Sequence, residues 1–275
     1  MKDICVVFCC NKNYFDKFKF TYNQLINNGK YTGEICLIVG DDLKNICNND
    51  FIKKNNIIIK YFPNLPLLNN NKFLQQQQEI KRPGHHWFLK RFQYHKLYLF
   101  DVFFKNWNYI LYIDCGMIIN YNILPILNEK KENTLLANRD GVDNESATWC
   151  CPITPGKGLK LGDQFVKSDK LYKLLNENYI LNEEYFQTTL MLYDTNIIQE
   201  DSFNNLYNLL NTYPISITND QGIIALYFTQ IKPCWQQLRR KNKELYYYDY
   251  VRCTDANYIM IKNPSNKWLN VGYNN

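Results

Sequence analysis

Short runs of uninterrupted apolar residues, each stopped by polar or turn-forming residues, constrain this chain more than any other feature. Ile4–Cys10 ends at Asn-Lys-Asn, Glu34–Gly40 (EICLIVG) ends at Asp41-Asp42, and Tyr109–Ile113 (YILYI) ends at Asp114-Cys115-Gly116. A fourth run, Asn56–Tyr61 (NIIIKY), is stopped by Pro63. A strand covered on one face alternates apolar and polar residues, whereas a strand covered on both faces reads as a continuous apolar run. Helical periodicity over Tyr14–Asn28, closed by Asn28-Gly29, separates the first two runs. This β-α-β-β opening implies an α/β fold: a central, mostly parallel sheet flanked by helices.

The remaining elements are read the same way. Residues 64–86 are polar and Gln-rich and are expected to form a loop or irregular helix. Trp87–Asn106 is expected to form one long amphipathic helix, roughly five turns at 3.6 residues each. Short strands are expected at Met117–Ile119 and Thr134–Ala137, and a core strand at Tyr185–Tyr193. Helices are expected at Ser168–Glu177 and Asp201–Leu210, with another beginning at Asp220–Phe228. Residues 139–168 carry many Gly, Pro, Asp and Ser and are expected to form a long loop, a common home of function. No linker rich in Pro or Gly divides the chain, so residues 1–275 are expected to form a single domain.

Composition narrows the function classes. Apolar residues make up 46% and charged residues 21%, which is enough for an ordinary core. The net charge of +6 is scattered, its densest runs being Lys81-Arg82, Lys90-Arg91 and Arg239-Arg240-Lys241. With neither a basic stripe nor a recognition motif, nucleic acid is not expected as a partner. No apolar run approaches the roughly 18 residues that span a bilayer, so no transmembrane segment is expected. The N-terminus turns polar too soon for a signal peptide. The ten cysteines contain no CxxC pair, which argues against a zinc ribbon and for free thiols in a reducing, cytoplasmic setting.

Chemistry is expected where strands end, because ligands of open α/β sheets bind beyond the carboxyl ends of the strands. The first run delivers Cys10-Asn11 and then Tyr14; the run YILYI delivers Asp114. A carboxylate there can hold a divalent cation against phosphate oxygens, or can simply cap a turn completed by Gly116. His85-His86-Trp87 lacks a nearby acidic partner and is expected to belong to a loop before a helix. Gly162-Asp163-Gln164 is a second Asp-Gln pair, but no apolar helical pattern follows it, and it too is expected to be loop. Adjacent thiols rarely bridge each other, so Cys150-Cys151 is expected to stay reduced.

Four segments, in order, resemble the glycogenin-like family 8 glycosyltransferases. VVFCCNKNYF resembles the family's first strand with its Asn-x-x-Tyr; KLYLFDVFFKNWNYILYIDCGMII resembles its helix, strand and Asp-x-Asp segment; YFQTTLMLYD resembles its F-N-x-G-V strand; NDQGIIALYF resembles its D-Q-G-L-L-N segment. The resemblance covers residues 1–230. It implies the GT-A fold and transfer of a sugar, with retention, from a nucleoside-diphosphate sugar, commonly UDP-linked, to a glycan, protein or small-molecule acceptor. By position, Asn11 and Tyr14 would contact the nucleoside, and Lys96 would lie near the phosphates or sugar. Asp114 would bind manganese, and Cys10, Cys115 and Gly116 would line the same donor site. Gln187, which replaces the family's Asn, would face the donor sugar, and Asp220 and Gln221 would stand at the reaction centre.

The departures are informative. Gly116 stands in place of the second Asp of Asp-x-Asp, which removes a charge and a ligand from the metal site. Either the metal binds through Asp114 and other oxygens, or the chain works without one. Thr189 replaces the family's Gly. The family's late H-x-x-G-x-x-K-P-W motif has no His here, since the histidines are His85, His86 and His95. Lys262 is its best-placed lysine along the chain; Lys232-Pro233 follows the D-Q-G segment too closely. A catalytically impaired binder of sugar nucleotides or glycans on the same fold is therefore the alternative. A nucleotidyltransferase is disfavoured because CNKNYF lacks glycine.

Overall fold

The computed structural model describes residues 2–70, 91–140, 159–167, 170–239, 241–242, 245–249 and 257–262. His85, His86, Trp87 and Cys150-Cys151, with most of the expected loops at 64–86 and 139–168, lie outside the described residues. The apolar runs form strands β1 (Lys2–Cys9), β2 (Glu34–Val39), β3 (Ile58–Tyr61) and β4 (Trp107–Ile113). These four are parallel neighbours in the order β3-β2-β1-β4. After β5 (Met117–Ile119), the large sheet continues through β6 (Leu135–Arg139), β7 (Phe186–Asp194) and β8 (Trp235–Gln237), in the order β4-β7-β6-β8. Only β7 runs against the others, pairing antiparallel with both β4 and β6.

Both faces of this sheet are covered, which explains the continuous apolar runs. Along β4, Ile110 and Tyr112 join one core cluster while Leu111 and Ile113 join the other, as the two-residue period of a strand requires. The first cluster holds Leu97, Leu99 and Phe100 with helix α5 (Ser202–Thr212) and helix α6 (Asp220–Leu226). The second holds helix α1 (Phe15–Asn27) and a small sheet in which the expected strand β5 pairs with strands not foreseen, in the order β5-β10-β9, with β9 at Tyr246–Asp249 and β10 at Tyr258–Lys262. The short helices α2 (Asp50–Lys54) and α3 (Leu124–Leu127) were likewise unforeseen, while α4 (Lys170–Asn178) answers the helix expected from Ser168.

The helix expected over Trp87–Asn106 is corrected. Its described part is two runs of 3-10 turns, Arg91–Phe100 and Val102–Asn106, broken at Asp101. Asp101 has extended backbone, and its carboxylate caps Phe103 N at 2.9 Å. Seven consecutive residues, Tyr94–Phe100, are buried, so this segment threads the core and has no solvent face. Its entry packs against the end of β2. A Cβ on Gly40 would lie 2.7 Å from Asn64 Oδ1 and 3.0 Å from His95 Nε2, so only glycine lets His95 approach.

Burial depresses the His95 pKa to about 4, although Asp41 opposes the shift. The unfolded chain, at about 6.5, then binds the proton that the folded chain refuses, and stability falls as pH drops from 6.5 toward 4. Between pH 7 and 5 this site should cost about 2 kcal/mol. His95→Gln is expected to flatten that part of the acid decline, measured as unfolding midpoints at the two pH values. An unchanged slope would contradict it.

Candidate active site

β4 ends at Ile113, and the ladder runs one residue further: Asp114 N donates to Thr189 O at 2.9 Å. Because β7 is antiparallel, its beginning lies beside the end of β4. Gln187, Thr188 and Thr189 therefore stand at the carboxyl edge of the parallel strands. β6 ends at the same edge, where Asp140 N donates to Tyr185 O at 2.9 Å. The start of α6 brings Asp220 and Gln221 there.

A buried ion cluster occupies this edge. Lys96 Nζ lies 2.8 Å from Asp114 Oδ1 and 3.4 Å from Asp220 Oδ2, and it donates to Thr188 O at 3.5 Å. Tyr112 OH donates to Asp114 Oδ1 at 2.6 Å, and Thr188 Oγ1 donates to Asp220 Oδ2 at 2.8 Å. Burial alone would depress the Lys96 ammonium, but Asp114 and Asp220 outweigh burial and hold it well above its ordinary value. Burial pushes the Asp220 carboxyl up, against Lys96 and Thr188. The Asp114 side chain is 18% exposed and those of Lys96 and Asp220 only 6% and 3%. Asp114 can thus meet a ligand directly, whereas Asp220 can act only through Lys96 and Thr188. The sequence expectation put Asp220 against the sugar; its carboxylate is instead buried beneath the site.

Beside this cluster is a carboxamide network. Asp140 accepts from Gln187 Nε2 at 2.7 Å, Gln221 Nε2 at 3.0 Å and Tyr185 OH at 2.6 Å. Gln221 also donates to Gln164 Oε1 at 3.1 Å and accepts from Thr188 N at 3.3 Å, which ties the two networks together. Gln164 donates to Tyr185 OH and accepts from Thr218. Asp140, Gln164 and Tyr185 were not singled out as site residues from sequence. Asp140 had a weaker signal: it follows the expected strand Thr134–Ala137 after Asn138 and Arg139. Asn219 enters α6 at φ 61 and ψ −115, a region costly for any side chain, of order 1–3 kcal/mol.

The tip of β1 supplies the other wall. Asn11 Oδ1 is buried without a partner among the described residues, an acceptor that a bound N–H or O–H would satisfy. The Tyr14 hydroxyl is raised by burial and by the nearby Asp114 and Cys115. Cys10 is buried, and Cys115 Sγ donates to Cys9 O at 3.5 Å. Gly116 has φ +90, and its N–H donates to Thr21 Oγ1 at 2.8 Å. Lys262 lies on β10, its Cα opposite Met117 and so one residue beyond Gly116. The structure thus brings Asp114, Lys96, Gln187, Asp220 and Gln221 into one connected network, with Asn11 and Tyr14 at the adjoining strand tip.

A resident divalent cation does not fit these residues. Asp114 is the one carboxylate of its turn, and its Oδ1 already faces an ammonium and a phenol. Gly116 has no side-chain ligand to offer. Among the described residues, no group of three His, Cys, Asp or Glu side chains could hold a metal ion.

Comparisons with known proteins bear on the family and the fold. The family model described as glycosyl transferase family 8 matches residues 5–260. Among solved structures, the galactosyltransferase LgtC, in complex with donor and acceptor sugar analogues, is similar at 12% identity and a TM-score of 0.55, covering 95% of this chain and 87% of that one. Mouse xyloside xylosyltransferase 1 is similar at 10% identity and a TM-score of 0.50, covering 96% and 98%. The bifunctional glycosyltransferase WbbM is similar at 14% identity and a TM-score of 0.53, covering 96% of this chain and 46% of that chain. No curated protein matches the chain significantly. These likenesses support the expected GT-A fold. No helix among the described residues is long and apolar enough to cross a membrane.

Proposed function

Because this chain belongs to glycosyl transferase family 8 and is a glycosyltransferase, we propose that its donor is a UDP-linked sugar and that the sugar passes to an acceptor hydroxyl with retention of configuration. The observation that carries this is the convergence, at one sheet edge, of the Lys96 ion cluster and the Asp140 carboxamide network beside Asn11, whose Oδ1 is buried without a partner among the described residues. The nucleoside lies against Asn11 and Tyr14, and the diphosphate lies along Cys10 and the Asp114–Cys115–Gly116 turn, with Lys262 on the neighbouring strand. The donor sugar meets Gln187 and Gln221, whose carboxamides Asp140 holds in place.

In the reaction the bond from the anomeric carbon to the diphosphate oxygen breaks, and both its electrons leave with the diphosphate. The acceptor oxygen bonds to that carbon, and its proton passes to the departing diphosphate. What the chain supplies is fixed charge and orientation. Lys96, held by two carboxylates, sets the potential at the diphosphate, and Asp220 positions Lys96. Manganese, which the resemblance implies, would have Asp114 as its ligand, and that carboxylate is already engaged by Lys96 and Tyr112.

A panel of nucleotide sugars in thermal unfolding tests the proposal. One UDP-sugar at about 100 times its Kd should stabilise the fold by about 2.7 kcal/mol, and other bases should do less. If no nucleotide sugar moves the midpoint, the donor assignment fails. One observation, Gly116 in place of a carboxylate, favours binding without transfer; release of free sugar from the donor would exclude that second reading.

A further inference from the structure

The second carboxylate that the family's metal turn carries is missing here, and a lysine faces the place where it would be. A Cβ built on Gly116 would lie 3.5 Å from Lys17 Cδ and 3.9 Å from Lys17 Cβ. The Lys17 ammonium sits 4.6 Å over the Tyr14 ring, and the Tyr14 hydroxyl senses the Asp114 charge. On the other side of Asp114, Lys96 Nζ is 2.8 Å away. At φ +90, Gly116 has a backbone that side chains rarely adopt, so the turn is built for the absence of a carboxylate as well as lacking one.

We propose that this chain binds and cleaves its donor without a divalent cation, with the Lys17 and Lys96 side chains flanking the diphosphate in the place where the family's turn carries its second carboxylate. The inference rests on the donor site assigned above. A dication beside Asp114 would meet the Lys96 ammonium, 2.8 Å from that carboxylate, and the Lys17 side chain where a second carboxylate would stand. Asp220, 3.4 Å from Lys96 Nζ, is buried beneath the site, so the cations at the turn suit a diphosphate better than a dication. Lys96 is tied to Asp114 and Asp220, and half-buried Lys17 on α1, its ammonium over the Tyr14 ring, supplies the second charge. The charge that develops on the leaving oxygen is then met by fixed ammonium groups, and no metal-bound step is required.

The test is calorimetric titration of UDP into the chelator-treated full chain, in EDTA and in manganese. The expected Kd is the same in both media within about twofold. Lys17→Met should weaken UDP by about tenfold in either medium, the scale of one charge-assisted hydrogen bond. Lys17→Arg should restore it, and unfolding midpoints should show that both variants are folded. Binding that appears only with manganese would overturn this inference and leave the donor site standing. Absence of binding in both media would overturn both, and an unchanged Kd in Lys17→Met would overturn the role of Lys17.

Discussion

Lys96→Met is expected to be the most damaging single change in this protein. The side chain is close in length but uncharged, and it leaves two carboxylates near each other. Asp114 Oδ1 loses a partner at 2.8 Å and Asp220 Oδ2 one at 3.4 Å. Removing one member of a buried ion pair costs about 3–5 kcal/mol, because the remaining charge is stranded. The loss should depend on pH in a defined direction. Burial already raises Asp220 and Lys96 opposes that rise, so deleting Lys96 raises it further above the unfolded carboxyl. A group with a raised folded pKa destabilises the fold once it must ionise, so the deficit should be largest near pH 7 and shrink as pH falls toward 5. Transfer should fall by about 10²–10³-fold, the usual effect of removing one fixed electrostatic contact to developing charge. Denaturant unfolding at the two pH values, with initial transfer rates on the folded fraction, checks both parts.

Asp220→Asn should have the opposite profile, with little loss of stability and a large loss of rate. The amide keeps the shape of the carboxylate, and its oxygen can still accept from Thr188 Oγ1, 2.8 Å away in the native pair. Lys96 keeps Asp114. What disappears is the second carboxylate that aligns the ammonium. Because the Asp220 side chain is 3% exposed, UDP should bind within about threefold of the native value, while kcat should drop by about 10²-fold. A variant that transfers sugar at the native rate would remove Asp220 from the account.

The sequence reading succeeded where burial alone decides the outcome. Strands β1, β2 and β4 were legible because a strand covered on both faces must be apolar throughout, and YILYI could be little else. Asp114, Gln187 and Gln221 were singled out once the ordered family motifs were recognised, and the structure brings all three to one sheet edge. Asp140 and Gln164 were not foreseen, because they reach Gln221 across 81 and 57 residues, through strand pairing that local pattern does not encode. Arg91–Phe100 deceived for a different reason. Its composition suits an amphipathic helix, but Asp101 caps a new turn and Tyr94–Phe100 are all buried. β5 was expected as a strand, but its partners β9 and β10 were missed because short aromatic strands carry little periodic signal.

A crystal structure of the full chain with UDP and its donor sugar is the most direct measurement of the central claim. The base should lie against Asn11 and Tyr14, with Asn11 Oδ1 accepting a hydrogen bond, the diphosphate along the Asp114–Gly116 turn, and the sugar within reach of Gln187 and Gln221. A nucleotide seated elsewhere, for instance in the groove of roughly 590 Å³ between Tyr31 and Leu124 at the opposite end of β1, would contradict it.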